Sequence, residues 1–155
     1  MRTTTKGRRS GRPYTFETTY TWDGDRRLYL SGYPGPRDWV ANIAHDAAVV
    51  LHTVEGGTWY DLPGRGRVLR DRDERLPHML AFIARWAARA VGPRPLFALV
   101  LRAIGLNRAF HLPWWGPFYV VRRILDAMPC VEIEIVGPAT AREGGPPPLS
   151  NVLLR

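Results

Sequence analysis

The sequence predicts a mainly β domain with helices, built as a small antiparallel barrel. Three observations predict it. Alternating strands come in sequential hairpins, which close a sheet on itself without parallel crossovers. The 15 glycines and 14 prolines break the chain into short elements. The clearest helical periodicity follows the hairpins, where a longer insertion can cover one mouth of the barrel. A length of 155 residues suits one ordinary domain with a core of its own.

A first short strand leads into a glycine- and arginine-rich stretch. From Tyr14 to Trp22 the chain alternates, with Tyr14, Phe16, Thr18, Tyr20 and Trp22 on one face, so one long strand is expected. Asp23-Gly24-Asp25 is a hairpin turn, and Arg27 to Ser31 is the partner strand. After Pro34-Gly35-Pro36, Trp39, Val40, Ile43 and Ala44 recur at helical spacing behind a cap at Asp38 or just before it. Ala48 to Val54 is a β-branched run that meets Gly56-Gly57, and Thr58 to Leu62 returns from it. Pro63-Gly64 is expected to interrupt that return as a bulge or bend before Arg65 to Arg70 resumes it.

From Asp73 the period changes. Leu76, Met79, Leu80, Ile83, Trp86, Ala87 and Ala90 fall on one stripe, which predicts a helix packed by that face. Leu96 to Ile104 is apolar nearly all round. Trp115 to Met128 reads as a further helix ended by Pro129, and Val131 to Val136 as a last strand with Glu132 and Glu134 on its wet face. The domain is therefore expected to span 1–137, with a helical insertion at about 91–128 before the last strand. The Gly/Pro-rich tail, 138–155, is expected to be disordered or draped over the surface.

The formal charge is +8, from 22 Lys plus Arg against 14 Asp plus Glu, and most of the basic residues are arginines. An anionic partner follows, because the guanidinium fork suits phosphate and carboxylate groups. Nucleic acid is disfavoured: the arginines are spread through the chain and no recognition motif accompanies them. The lone Cys130 excludes an intrachain disulfide and a multi-thiolate metal site, and reads as a packed small residue. His45, His52, His78 and His111 show no metal-ligand spacing, so no metal is expected. With no signal-like N-terminus and no apolar stretch of about twenty residues, the expectation is a cytoplasmic protein without a transmembrane segment. Leu96, Phe97, Trp114, Trp115 and Phe118 are expected to form a hydrophobic wall. It would stand over a ligand site or at a subunit contact, while the aromatic cluster Trp114, Trp115, Phe118 and Tyr119 is read as core or homodimer interface, pocket lining, or a weak membrane-surface contact.

The most pointed stretch is Thr4-Thr5-Lys6-Gly7-Arg8-Arg9-Ser10-Gly11-Arg12-Pro13. Its glycines let backbone approach a ligand, while Arg8, Arg9 and Ser10 set donors around the turn. Read from the residues alone, it is either an anion-holding turn or a solvated basic arm with no ligand.

The run resembles the Thr-Thr-x-Gly-Arg-[Arg/Lys]-[Ser/Thr]-Gly-x-Pro signature of the deazaflavin-dependent nitroreductase family. Phe16-Glu17-Thr18 stands where many relatives read Val-Glu-[Ile/Leu]. Leu28-Tyr29-Leu30-Ser31-Gly32, a Gly-Pro loop and Asp38-Trp39-Val40-x-Asn42-Ile43 look like that family's strand, loop and Trp-x-x-Asn-[Leu/Ile] helix. The resemblance covers roughly Thr3 to Arg70, and the stretch from Val91 to Met128 has no counterpart in it.

The resemblance implies a split β-barrel that binds coenzyme F-420, with FMN as the rival cofactor because related barrels use it. It implies that Arg8, Arg9 and Ser10, with Thr5, Lys6, Gly7 and Gly11 beside them, hold the phosphate and acidic tail. Ser31, Gly32, Trp39 and Asn42 would surround the ring system or ribityl chain. The activity implied is hydride transfer to a small hydrophobic or conjugated acceptor, nitroreductase-like, with the chemistry supplied by the cofactor. No catalytic residue is selected: Tyr29, Tyr33 and Tyr119 are all candidate proton donors. A non-catalytic carrier of F-420 or of a hydrophobic ligand stays open beside the enzyme.

Overall fold

The computed structural model describes residues 1–32, 35–89, 99, 103, 106, 109–110 and 117–150. Its strands are β1 (Arg2–Lys6), β2 (Pro13–Glu17), β3 (Thr19–Trp22), β4 (Arg27–Ser31), β5 (Ala48–Glu55), β6 (Thr58–Val68), β7 (Cys130–Ile135) and β8 (Thr140–Arg142). Its helices are α1 (Asp38–His45), α2 (Arg72–Arg89) and α3 (Pro117–Ala127). All pairings are antiparallel, in the order β2-β1-β5-β6-β7-β4-β3, with β8 added to β6. The expected class is the one observed: mainly β with helices, a sheet curled into a split barrel.

The stretch Tyr14 to Trp22 is two strands, not one. β2 pairs with β1 and β3 with β4, at opposite ends of the ladder, and only Thr18 lies between them. Strand alternation shows which side chains share a face, and it cannot show that the chain changes neighbours midway. Thr18 makes the corner: its N–H donates to the Met1 carbonyl at 3.2 Å and its hydroxyl to the Ser31 carbonyl at 2.6 Å.

Pro63-Gly64 does not interrupt β6. The register with β5 runs unbroken from Thr58 to Arg65. The Pro63 carbonyl accepts from Val136 N–H at 3.0 Å, on the edge away from β5, so the missing proline donor also faces that edge. There β8 pairs only Trp59 to Asp61 and β7 only Gly64 to Val68, so no ladder bond is lost. Asp38 is not a cap but the first helical residue; Arg37, extended at φ −132°, precedes it without a side-chain cap.

Two apolar clusters share β4 and β7, which are buried on both faces at Tyr29, Ser31 and Cys130 and exposed at Arg27 and Glu134. Leu28, Leu30, Val131 and Ile133 point into the barrel with Phe16, Trp39, Ile43, Val49 and Leu51. Tyr29 and Cys130 point the other way, to Leu76, Met79 and Phe82 of α2 and Leu125 of α3. Each fully buried aliphatic side chain contributes about 1.5–3 kcal/mol, so the helical layer is part of the core. Of the expected α2 stripe, Leu76, Met79, Leu80 and Ile83 pack here, with Phe82 added to them; the side chains of Trp86 and Ala87, and residue Ala90, lie outside what is described. Arg75 of α2 donates to the Asp126 carbonyl at 2.9 Å and the Met128 carbonyl at 2.6 Å, closing the C-terminus of α3. Arg72 pairs with Asp126 and holds that carboxyl below the usual range.

The tail contributes β8, and its later residues lie across the outer face of the sheet. Arg2 donates to the Pro147 carbonyl at 2.7 Å, and Thr15 N–H donates to Ser150 Oγ at 2.8 Å. Leu96, Phe97, Trp114 and Trp115 of the expected wall lie outside the described residues, as do Tyr33 and His111; Phe118 falls within α3.

Gly66 marks the tightest contact between α1 and the barrel. A Cβ there would sit 2.5 Å from Ile43 Cγ2 and 3.1 Å from Ile133 Cδ1, both on stiff β-branched side chains. Gly66→Ala is expected to destabilise the fold by about 1–3 kcal/mol, lowering the melting temperature by roughly 2–12 °C. A thermal melt checks this, and a parent-like midpoint would refute the packing account.

Candidate functional site

The glycine- and arginine-rich stretch is the β1–β2 hairpin. Thr4, Thr5 and Lys6 end β1, Gly7 to Arg12 form the turn and Pro13 opens β2. Gly7 N–H donates to the Arg12 carbonyl at 2.9 Å and Gly11 N–H to the Gly7 carbonyl at 2.8 Å. Gly11 has φ +67°, a conformation that favours glycine. At Gly7 a Cβ would lie 2.7 Å from Ser10 Oγ and 3.3 Å from the Arg12 carbonyl, so a side chain there would displace Ser10 from its place in the turn. Ser10 Oγ in turn accepts from Arg12 N–H at 3.3 Å.

Helix α1 holds this turn in place. Asn42, buried at 4% exposure, accepts from Arg8 N–H through Oδ1 at 3.1 Å. The Arg8 guanidinium reaches Asp38 Oδ1 at 3.0 Å and Asn42 Oδ1 at 3.4 Å. Arg8 is therefore a brace between turn and helix. Arg9 and Arg12 are exposed, and among the described residues their guanidinium groups have no ion-pair partner. Two uncommitted guanidiniums on a conformationally fixed turn are a ready anion site.

The remaining residues carried over from the resemblance divide. Thr5, Lys6, Gly7, Arg8, Arg9, Ser10, Gly11 and Asn42 come together at the hairpin and α1. Within that group Thr5 is buried, its hydroxyl 3.5 Å from the Tyr14 carbonyl, while Lys6 is exposed. Trp39 is turned into the barrel, its ring stacked on Phe16 at 5.0 Å and 18°. Ser31 faces the helical layer, where its hydroxyl donates to the Pro129 carbonyl at 2.7 Å and lies 3.5 Å from Met79 Sδ. Gly32 follows β4, half-buried. Ser31 lies across the sheet from Leu30 because side chains alternate, so its hydroxyl is spent inside the fold.

A cavity of about 360 Å³ opens on another face of α1, lined by Val40, Ala44, Val68 and Met128 with Arg37 and Arg70 at its edge. Of the candidate proton donors, Tyr29 is buried with its ring 3.5 Å from that of His78, nearly parallel. Burial, and then the nearby Glu132 carboxylate, raise its pKa. Tyr119 is exposed on α3. Glu132 is no free carboxylate either, since it pairs with Arg67 at 3.3 Å.

A second polar cluster lies on the outer face of the sheet. Thr4 Oγ1 is 2.8 Å from both Thr15 Oγ1 and His52 Nε2, His52 Nδ1 is 2.6 Å from Asp61 Oδ1, and Arg142 donates to Asp61 Oδ2 at 2.9 Å. Sequence spacing does not show this row, because its members meet only through the registers of five strands. Period-two alternation does place Thr4, His52 and Asp61 opposite the core-facing residues of their strands, which is the one signal available. Among the described residues, no three His, Cys, Asp or Glu side chains gather as a metal site. No helix among them is long and apolar enough to cross a membrane.

No protein-family profile and no curated protein matches the chain. Solved structures do. A candidate 5-nitroimidazole antibiotic resistance protein from Bacteroides thetaiotaomicron VPI-5482 is 9% identical, covers 89% of this chain and 73% of its own, and superposes with a TM-score of 0.50. A pyridoxamine 5'-phosphate oxidase-related, FMN-binding protein from Nostoc punctiforme PCC 73102 is 15% identical, with 86% and 69% covered and a TM-score of 0.48. An FAD-binding protein from Mesorhizobium loti is 15% identical, with 89% and 81% covered and a TM-score of 0.47. At these identities the likeness is one of fold.

Cys130 is 1% exposed and burial pushes its thiol up to about 12, so it is a packing residue and no nucleophile. A thiol reagent at pH 8 is expected to leave native protein unmodified and to react fully after unfolding in guanidinium. Rapid labelling of the native chain would contradict this burial.

Proposed function

We propose that the chain is a flavin-dependent split-barrel oxidoreductase whose β1–β2 turn holds the cofactor phosphate. The observation that carries this reading is the pair of uncommitted guanidiniums, Arg9 and Arg12, on a turn fixed by Gly11 and by the Arg8–Asn42 contact. The donor set fits a phosphate ester: it is cationic and it lies at the surface. FMN comes first, since its single phosphate matches a turn of this span. Two of the fold neighbours are named as binding FMN and FAD, in keeping with a flavin. F-420 is the second reading, supported by the motif from Thr4 to Pro13.

When bound, the cofactor supplies the hydride chemistry. The chain's own residues bind and orient it: the Arg9 and Arg12 guanidiniums take the phosphate, and Arg8 with Asn42 keeps the turn against α1. The cavity beside α1, apolar with arginines at its edge, is the proposed place for the ring or for a hydrophobic or conjugated acceptor. Trp39 and Ser31, committed to the core, support the site from behind.

Fluorescence titration of the purified chain with FMN and with F-420 tests the reading. Arg9→Ala combined with Arg12→Ala is expected to weaken binding by at least about tenfold per guanidinium, since charge-assisted bonds contribute about 1.5–3 kcal/mol each. Arg26→Ala with Arg123→Ala, exposed and remote from the turn, is the control for net charge. Equal damage from the control, or parent-like binding by the turn variant, would return the stretch to a solvated basic arm. Tight binding without reduction of a nitroaromatic acceptor by the reduced cofactor would make the chain a carrier.

A further inference from the structure

The polar row on the outer face of the sheet plays no part in the flavin reading, and its geometry is that of an activated hydroxyl. His52 is buried, its side chain 4% exposed, beneath the tail residues that Arg2 and Thr15 anchor. Its Nδ1 lies 2.6 Å from Asp61, a carboxylate that also receives Arg142 at 2.9 Å. An acceptor on Nδ1 fixes the neutral ring with its proton there and leaves the Nε2 lone pair facing Thr4 Oγ1 at 2.8 Å. Thr15 Oγ1, on the other side of Thr4 at 2.8 Å, completes the chain by donating to it. The hydroxyl proton of Thr4 is thus directed at a base that a carboxylate holds in the required tautomer.

This row lines a cavity of about 460 Å³ whose other walls include Val50, Pro147 and Leu149. Two donors stand at the same wall. Ser150 Oγ accepts from Thr15 N–H and keeps its own proton to give. Arg142 uses Nε on Gly145 and Nη1 on Asp61, and its Nη2 has no partner among the described residues. Either can face a carbonyl oxygen as charge develops on it.

We propose that Thr4 is the nucleophile of a second site that cleaves small acyl esters, with His52 as general base and Asp61 as the residue positioning it. Thr4 Oγ1 bonds to the ester carbonyl carbon and its proton passes to His52 Nε2. The tetrahedral adduct collapses with cleavage of the bond to the leaving oxygen, which takes the proton from His52 and departs as the alcohol. Water then attacks the acyl-threonine, giving a proton to His52. The carboxylic acid leaves, and the proton returns to Thr4. The apolar walls and the cavity volume suit a short acyl chain.

The test uses the full chain with a fluorophosphonate probe, on which Thr4 displaces fluoride as the proton leaves through His52, and with p-nitrophenyl acetate. Fragmentation of the labelled peptide separates Thr4 from Thr3 and Thr5. The expected result is one probe per chain on Thr4 and a burst of about one nitrophenolate per chain. Thr4→Ser should keep labelling and Thr4→Val abolish it, with near-UV circular dichroism confirming the fold of each. Asp61→Asn should slow labelling about 10²-fold. No label on Thr4 in the folded parent overturns the proposal, whatever the variants do, and so does a Thr4→Val variant that labels like the parent. A row that only braces the tail gives a lower melting temperature for Thr4→Val and an unlabelled parent, and that result too overturns it.

Discussion

The two edges of the sheet are one continuous piece of chain, and the rest of the molecule is arranged around that constraint. β2 ends at Glu17 and β3 begins at Thr19, yet they stand at opposite ends of the ladder. One residue spans about 3.8 Å, so the sheet must curl until its edges meet at Thr18. The Thr18 amide and hydroxyl are satisfied there by Met1 from one edge and Ser31 from the other. Curling gives the sheet an inside, which Phe16, Leu30, Ile43 and Ile133 fill. It also turns the other face of β4 and β7 toward α2 and α3, where Tyr29 and Cys130 are buried.

This arrangement sorts the polar residues into those the fold uses and those it leaves for a ligand. Ser31 is spent on Pro129, Asn42 on Arg8, and Arg8 on Asp38. Arg75, half-buried between α2 and α3, is spent on the carbonyls at the end of α3. Among the described residues Arg9 and Arg12 have no such employment, and they stand on a turn whose shape is held by hydrogen bonds at both ends. An exposed ion pair adds little to stability, so arginines left unpaired on an ordered turn cost the fold almost nothing and remain available to an anion. The Thr4, His52 and Asp61 row is the opposite case: polar groups bonded to one another, with His52 buried among them, and still at the wall of a cavity.

Much of this was legible in the sequence, where local patterns carry it. Glycine pairs and Asp-Gly turns marked the hairpins at Gly24 and Gly56-Gly57, and a 3.6-residue period marked α2. The stretch from Thr4 to Pro13 stood out from its composition alone. What depended on pairing was not legible. The split at Thr18 needs knowledge of which strand lies beside which. The continuity of β6 through Pro63 needs the ladder edge that Pro63 faces, and β8 forms because Thr140 to Arg142 finds an unpaired stretch of β6 beyond the end of β7. The same limit hid the outer row, whose members are close only in register. For the site, the resemblance implied Ser31 and Trp39 around a ring system, and only side-chain direction shows that both point into the protein.

The role proposed for the turn from Gly7 to Arg12 is to receive a phosphate. Amide-resolved NMR of ¹⁵N-labelled protein, titrated in parallel with FMN and with riboflavin, which is the same ring without the phosphate, tests it directly. FMN is expected to shift the Gly7 to Arg12 amides in a saturable way, and riboflavin to leave them in place. Resonances of the turn that stay fixed with FMN, or that move equally with riboflavin, would contradict it.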